Sequence, residues 1–169
     1  GVINMGLDLS IVVPGIRNKN WSKLYSSIYD SFSDSFEIVF VSPYKLPEEL
    51  KNKENIKYIK SFSSPCRSVQ VAALICEGDL FTWASDDGYF MPEALDTAVN
   101  FFRDQENGKT EMIVRYCEGR NHSGKNPSTD YWRARHPGSL CLDGILEDHW
   151  IAPVGLLKTS YFKTLGGFD

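Results

Sequence analysis

Short apolar runs alternate along the chain with longer segments in which apolar residues recur every three or four positions. The first run is rich in β-branched residues, is apolar on both faces and stops at Pro14-Gly15, which predicts a buried strand. Three later runs predict buried strands for the same reason. The four predicted strands are Leu9–Val13, Phe36–Val41, Ile56–Ile59 and Asp79–Ala84.

Helical spacing fills the segments between these strands. An amphipathic helix is predicted after the first strand, and its apolar stripe consists of Trp21, Leu24, Tyr25, Ile28 and Phe32. Asn18 or Asn20 is expected to cap that helix. A short helix is predicted at Pro47–Leu50, where proline and two glutamates suit a first turn. Two further helices are predicted to begin at Ser64-Pro65 and at Pro92. The first runs through Val69, Ala72, Ala73 and Ile75 to near Gly78; the second has Leu95, Val99 and Phe102 on its inner face.

This alternation of strands and helices predicts a doubly wound α/β domain with parallel strands and right-handed crossovers. Ligands of such sheets bind beyond the carboxyl ends of the strands. The strand ends therefore predict the site before any motif is considered. They are Pro14–Arg17, Ser42–Pro43, Phe62–Arg67 and Ser85–Gly88.

The pattern changes after Gly108, and we divide the single domain there into a first half, 1–108, and a second half, 109–169. The second half begins with a predicted strand, Glu111–Tyr116, followed by a long polar stretch that is expected to be a functional or mobile loop. Its last elements are a strand at Trp150–Pro153 and a short helix at Thr159–Leu165, ended by Gly166-Gly167.

Composition limits the classes of protein to consider. The 169 residues suit one globular domain, with 42% hydrophobic and 24% charged residues. A net charge of −4 gives no general attraction for nucleic acid. The four cysteines form no C-x-x-C pair, and Cys76 falls in an apolar run, as expected of a buried thiol. No apolar run approaches the roughly 20 residues of a membrane span, and we predict a cytoplasmic protein.

Two adjacent carboxylates, Asp86 and Asp87, follow the fourth predicted strand. They repel each other, so keeping both ionised requires a positive charge or many hydrogen bonds. A divalent cation with oxygen ligands supplies that charge, and Mg²⁺ or Mn²⁺ is typically held by one or two carboxylates plus substrate phosphates. A solvated turn is the alternative that this dipeptide leaves open.

Four segments follow one another along the chain in the order Leu9–Pro14, Ser64–Asp79, Phe81–Leu95 and Leu165–Asp169, and together they resemble glycosyltransferase family 2. Phe81–Leu95 resembles the family's metal-site segment, in which an apolar strand leads to a carboxylate pair and a proline-led helix. Leu9–Pro14 is similar to its first strand, and Ser64–Asp79 to the helix that precedes the metal strand. Leu165–Asp169 matches its common GGFD segment.

The resemblance implies a GT-A fold, with a mostly parallel sheet, and metal-dependent transfer of a sugar from a nucleoside-diphosphate donor with inversion. It implies that 1–108 is the nucleotide-sugar-binding half and 109–169 the acceptor-side half of the same domain. Asp87 would be the main ligand of Mn²⁺ or Mg²⁺, with Asp86 contacting the metal through water or the ribose. Pro14, Gly15 and Arg17 would frame the base, and Arg67 would reach the base or the diphosphate.

Two positions depart from the family pattern. Ser42 stands where many members have an aspartate that binds the base, and Ala84 replaces a further aspartate before Asp86. The nucleotide is therefore open, with a UDP-sugar as the first donor to test. The resemblance places the general base after Asp169, and Glu147 or Asp148 is the alternative within this chain.

The acceptor side is predicted from aromatic residues in the polar stretch. Trp132 and His136 are the candidates for contacting a glycan, lipid or protein acceptor, because aromatic faces suit sugar rings. Trp21 and Trp83 follow core patterns instead. Two other functions remain open: a catalytically silent relative that binds a nucleotide sugar, and a nucleotidyltransferase, although the turn after the first strand carries no P-loop.

Overall fold

The computed structural model describes residues 6–90, 92–104, 112–114, 141–142, 145–146 and 155–167, with only the backbone for the three short segments between 112 and 146. The strands within these residues are β1 (Leu7–Pro14), β2 (Phe36–Ser42), β3 (Ile56–Lys60), β4 (Gly78–Trp83), β5 (Met112–Val114), β6 (Cys141–Leu142), β7 (Ile145–Leu146) and β8 (Gly155–Lys158). The helices within them are α1 (Trp21–Ser31), α2 (Pro65–Ala73), α3 (Ala94–Asp104) and α4 (Thr159–Leu165).

Six strands form one mixed sheet in the order β3-β2-β1-β4-β8-β5, and β6 pairs with β7 separately. The pairs β1–β2, β2–β3 and β1–β4 are parallel, as predicted. The sheet is mostly parallel, as predicted, and β8 is the exception, since it runs antiparallel to both β4 and β5. The sequence pattern did not reveal β8, because four residues are too few to show a period. The strand predicted at Trp150–Pro153 lies outside the described residues.

Two helical layers cover the sheet, because successive residues of a buried strand face opposite sides. Ile11 and Val13 join the cluster that contains the apolar faces of α1 and α3, whereas Val12 joins the cluster formed with α2 and α4. The predicted stripe of α1 is entirely buried, and so are its counterparts on α3. Among the described residues, no helix is long and apolar enough to cross a membrane.

The helix ends differ from the predictions in four places. Helix α3 begins at Ala94 and not at Pro92. Asn20 precedes α1, but its side chain does not cap the helix. The segment after Pro47 forms only a single 3₁₀ turn, Glu48–Leu50. Helix α2 ends at Ala73, which leaves Ile75 outside it and 40% exposed. The Ser64 cap of α2 and the left-handed Gly166 after α4, with φ of 81°, are confirmed.

A buried carboxylate ties together the amino ends of the strands, at the edge opposite the predicted site. The Glu37 Oε1 accepts hydrogen bonds of 2.6 Å from the Ser10 hydroxyl and from the Glu77 backbone N–H. The ammonium of Lys57 lies 2.7 Å from the other carboxylate oxygen. Burial alone lowers the pKa of Lys57, but its hydrogen bonds and charge interactions with Glu37 and Glu77 outweigh that effect and raise it. Breaking one partner of such a pair leaves a buried charge uncompensated, so this network is structural.

Candidate functional site

A cleft of about 400 Å³ opens at the carboxyl edge of the sheet, where the strand order reverses. The chain leaves β1 towards β2 and β3 on one side and returns to β4 on the other, so β1 and β4 flank the point at which doubly wound sheets bind ligands. All four predicted strand ends contribute residues. The cleft is lined by Pro14, Gly15, Ile16, Arg17, Val41, Pro43, Ser61, Ser63, Pro65, Ser68, Trp83, Ala84, Ser85 and Asp86.

The Asp86 side chain is bound by the loop that follows β1. Its Oδ2 accepts hydrogen bonds from the backbone N–H groups of Ile16, at 2.7 Å, and Arg17, at 2.5 Å. The guanidinium of Arg17 donates to Oδ1 at 2.8 Å. Only 2% of Asp86 is exposed, and these donors compensate its buried charge.

Two further features lie against this contact. They are the Trp21 ring and the absence of a side chain at Gly15. The indole nitrogen of Trp21 lies 3.5 Å from the Asp86 Oδ2. A Cβ on Gly15 would lie 2.7 Å from that same oxygen, closer than packed atoms allow. The Asn20 amide, which fails to cap α1, donates instead to the Asp86 carbonyl at 3.0 Å. The start of α1 is therefore shaped around Asp86.

The neighbouring Asp87 has a different environment. It is exposed, and its carboxylate accepts a hydrogen bond from the hydroxyl of Ser85. The two carboxylates are thus not equivalent: one is buried under protein donors, and the other lies at the surface beside the cleft. A cation that binds an exposed carboxylate pays little desolvation cost at that side chain.

A chain of hydroxyl groups, which the sequence analysis missed, lines the part of the cleft beyond β3. The Ser63 hydroxyl lies 2.7 Å from that of Ser61 and 3.0 Å from that of Ser68, and either oxygen of each pair can donate. A hydroxyl both donates and accepts, so the chain can present either function to a ligand. Its sequence signal was the cluster of serines at the third strand end.

The structure brings Pro14, Gly15, Arg17 and Asp86 together in the cleft, and their binding of a nucleotide stays a prediction. The other two predicted nucleotide ligands lie elsewhere. Ser42 is buried, and its hydroxyl accepts from the Tyr44 N–H at 3.1 Å. The exposed Arg67 borders a second depression of about 280 Å³, formed with Gln70, Val71, Leu74 and Gly166.

Several predicted residues lie outside the described part of the chain. These are the candidate bases Glu147 and Asp148 and the acceptor residues Trp132 and His136. Among the residues that are described, no three His, Cys, Asp or Glu side chains form a ready-made metal cluster. The donors at the cleft still suit a cation held jointly with a diphosphate, because Asp87 offers an exposed carboxylate and the substrate would supply the remaining oxygens.

Comparison with protein-family models gives no match, and comparison with curated protein sequences gives none either. Solved structures do match. S. aureus TarS, residues 1–349, in complex with UDP-GlcNAc has a TM-score of 0.68 and 19% identity over 94% of this chain and 47% of that chain. The mannosyltransferase PcManGT from Pyrobaculum calidifontis, in complex with GDP-Man and Mn²⁺, has a TM-score of 0.64 and 13% identity over 98% of this chain and 48% of that chain.

A synthase is also similar in fold. The 4-diphosphocytidyl-2C-methyl-D-erythritol synthase from Anaerococcus prevotii has a TM-score of 0.54 and 11% identity, over 95% of this chain and 74% of that one. Our chain spans about half the length of the two transferase chains. At these identities the likeness concerns the fold, and membership of glycosyltransferase family 2 stays a prediction. The chain has the GT-A-type α/β fold of these glycosyltransferases.

Proposed function

We propose that this chain binds a nucleoside-diphosphate sugar in the cleft and transfers the sugar to an acceptor hydroxyl with inversion. The observation that carries the proposal is the cleft between β1 and β4, with an aspartate pair at the end of β4. The solved complexes of similar fold contain UDP-GlcNAc in one case and GDP-Man with Mn²⁺ in the other. They support a nucleotide sugar as the ligand class.

Charge at the leaving group determines what the cleft must do. A departing nucleoside diphosphate gains negative charge as the glycosidic bond breaks. The guanidinium of Arg17 lines the cleft and has about half its surface exposed, so it is available to that charge. Asp87 is the proposed ligand of Mn²⁺ or Mg²⁺. When bound, such a cation neutralises diphosphate charge as a Lewis acid.

Inversion requires a base on the face of the sugar opposite the diphosphate, to take the proton from the acceptor hydroxyl. Within this chain we propose Glu147 or Asp148 for this role. Trp132 and His136 remain our candidates for the acceptor side. The acceptor class, whether glycan, lipid or protein, is left to experiment.

The hydroxyl chain of Ser61, Ser63 and Ser68 is proposed to contact the polar edge of the base. Uracil presents both a donor and acceptors, and this chain can match either. A UDP-sugar is therefore the first donor to test, with GDP-sugars second.

The direct test is a thermal-shift and calorimetry series with UDP, GDP, CDP and ADP, each with and without Mn²⁺. A ligand that binds only the folded chain raises apparent stability with its occupancy, by about 2.7 kcal/mol at one hundred times Kd. We expect one or two nucleotides to raise the melting temperature, and Mn²⁺ to increase the effect. If none of the four shifts it in either condition, the proposal is wrong.

Two other functions are separated by product analysis. A nucleotidyltransferase is favoured by the fold shared with the cytidyl-transferring synthase. It would consume a nucleoside triphosphate and release pyrophosphate. A catalytically silent relative would bind the nucleotide sugar with no Mn²⁺-dependent hydrolysis. The proposed transferase would release nucleoside diphosphate from the sugar donor and leave triphosphates intact.

A further inference from the structure

We infer that Asp86 is a positioning residue, which holds the loop after β1 and the Arg17 side chain in place for the nucleotide, and that the cation is left to Asp87. The inference rests on the proposed function, since it assigns separate roles to the two neighbouring carboxylates of the same site.

The first argument is the occupancy of the Asp86 oxygens. An ionised carboxylate offers about four acceptor positions, two on each oxygen. At Oδ2, the N–H groups of Ile16 and Arg17 occupy both, and the Trp21 indole approaches as a third donor. At Oδ1, the guanidinium of Arg17 occupies one more. These contacts leave one position, on Oδ1, and a cation could reach it only on a side chain that is 2% exposed.

The second argument is what the contact fixes. The loop after β1 joins a strand to a helix and supplies three neighbouring cleft residues, Gly15, Ile16 and Arg17. The Asp86 carboxylate accepts hydrogen bonds from the backbone N–H groups of Ile16 and Arg17 and from the side chain of Arg17. The Arg17 guanidinium is anchored through Nη1, yet 49% of the side chain stays exposed. An anchored arginine loses less conformational freedom when it binds a phosphate.

The third argument is steric and independent of charge. Gly15 lets the loop approach Asp86 so closely that an added Cβ would lie 2.7 Å from Oδ2 and 3.0 Å from the Trp21 nitrogen. The contact between the two strand ends therefore depends on the small size of Gly15 after β1 as well as on the carboxylate of Asp86 after β4. Gly15→Ala should push the loop away from an intact carboxylate, which separates loop position from the charge of Asp86.

The experiment measures UDP and GDP affinity by calorimetry, with and without Mn²⁺, for the wild type, Asp86→Asn and Asp87→Asn. We expect Asp86→Asn to weaken both the metal-free and the Mn²⁺-supported affinity by a similar factor, about tenfold or more. The ratio of the two, which is the Mn²⁺ enhancement, should be retained. In Asp87→Asn the metal-free affinity should persist and the enhancement should vanish.

Two further variants make the comparison specific. Gly15→Ala should reproduce the Asp86→Asn pattern although it removes no charge. Asp79→Asn, an exposed aspartate at the amino end of β4, is the matched control and should leave both affinities unchanged. The Trp21 indole N–H resonance, identified with Trp21→Phe, should move in Asp86→Asn and Gly15→Ala and stay in place in Asp79→Asn.

Loss of the Mn²⁺ enhancement in Asp86→Asn would overturn the inference, because it would make Asp86 a metal ligand. Unchanged affinities in that variant would overturn it as well. If Asp86→Asn fails to fold, Gly15→Ala and Arg17→Gln carry the same comparison. Should the wild type bind none of UDP, GDP, CDP and ADP, the proposed function fails, while the indole resonance still tests whether Asp86 holds the loop.

Discussion

The guanidinium of Arg17 lies 2.8 Å from the carboxylate of Asp86 and so joins the end of β1 to the end of β4 across 69 residues of sequence. β1 and β4 are neighbours in the sheet, so their carboxyl ends meet at one edge. The contact makes the two aspartates unequal, since Asp86 is bound by the protein and Asp87 lies exposed beside it. The predictions below follow from that difference and from the packing of the sheet.

Asp87→Asn should abolish the Mn²⁺-dependent part of nucleoside-diphosphate binding and leave the fold intact. The substitution removes the charge but keeps the size of an exposed side chain, so the free energy of unfolding should change by less than about 0.5 kcal/mol. Calorimetry with Mn²⁺ measures the first effect and urea unfolding the second. Unchanged affinity in Mn²⁺ would remove Asp87 from the metal site.

Ser63→Ala should weaken nucleotide binding, because Ser63 is the middle member of the hydroxyl chain in the cleft. We expect a loss of about 1 kcal/mol, the typical net value of one hydrogen bond, which is roughly a fivefold rise in Kd. Calorimetry with UDP and GDP measures it. Ser26→Ala, on the exposed face of α1, is the control. Equal Kd values for both variants and the wild type would exclude the hydroxyl chain from the binding site.

Gly78→Ala should destabilise the sheet strongly. A Cβ at this position would lie 2.5 Å from the Ser10 backbone nitrogen and 2.6 Å from the Leu9 carbonyl carbon. Backbone of a central strand cannot move aside, so we expect a loss of about 2 kcal/mol or more in the free energy of unfolding. Gly88→Ala, where nothing lies within 4 Å of the added carbon, is the matched control. Similar urea midpoints for the two variants would contradict the prediction.

Cys76 should make the protein lose stability in alkali. Burial, and next the charge of Glu37, raise the pKa of its thiol from 9.0 to about 12. The pKa of the Cys76 thiol is higher in the folded chain than in the unfolded chain. The contribution of this thiol to the free energy of unfolding is therefore complete below pH 9 and is lost as the pH rises towards 12. Each pKa unit corresponds to about 1.4 kcal/mol, so the loss is on the order of 4 kcal/mol.

Urea unfolding between pH 8 and 11 tests this prediction. The decline of the unfolding free energy should be shallower in Cys76→Ala than in the wild type. Cys66→Ala, which removes an exposed thiol, should follow the wild type. Parallel pH curves for Cys76→Ala and the wild type would show that Cys76 does not titrate differently on folding.

The sequence by itself determined the elements that repeat a local period. Buried strands are continuously apolar, and the α1 stripe recurs at helical spacing, so both could be recognised without knowing any contact. A general rule of α/β sheets, that ligands bind beyond the carboxyl ends of the strands, then predicted the edge where the cleft lies. Adjacent carboxylates such as Asp86 and Asp87 are visible in sequence for the same reason: they are neighbours in the chain.

Only the tertiary structure decided which partners those residues have. The four-residue strand β8 lies between β4 and β5 and runs antiparallel to both. No local pattern of apolar residues predicts that position or direction. The donors that surround Asp86 come from Ile16, Arg17 and Trp21, some seventy residues earlier. Hydrogen bonds of this kind depend on where strands meet in space, and a pattern read along the chain contains no information on that distance.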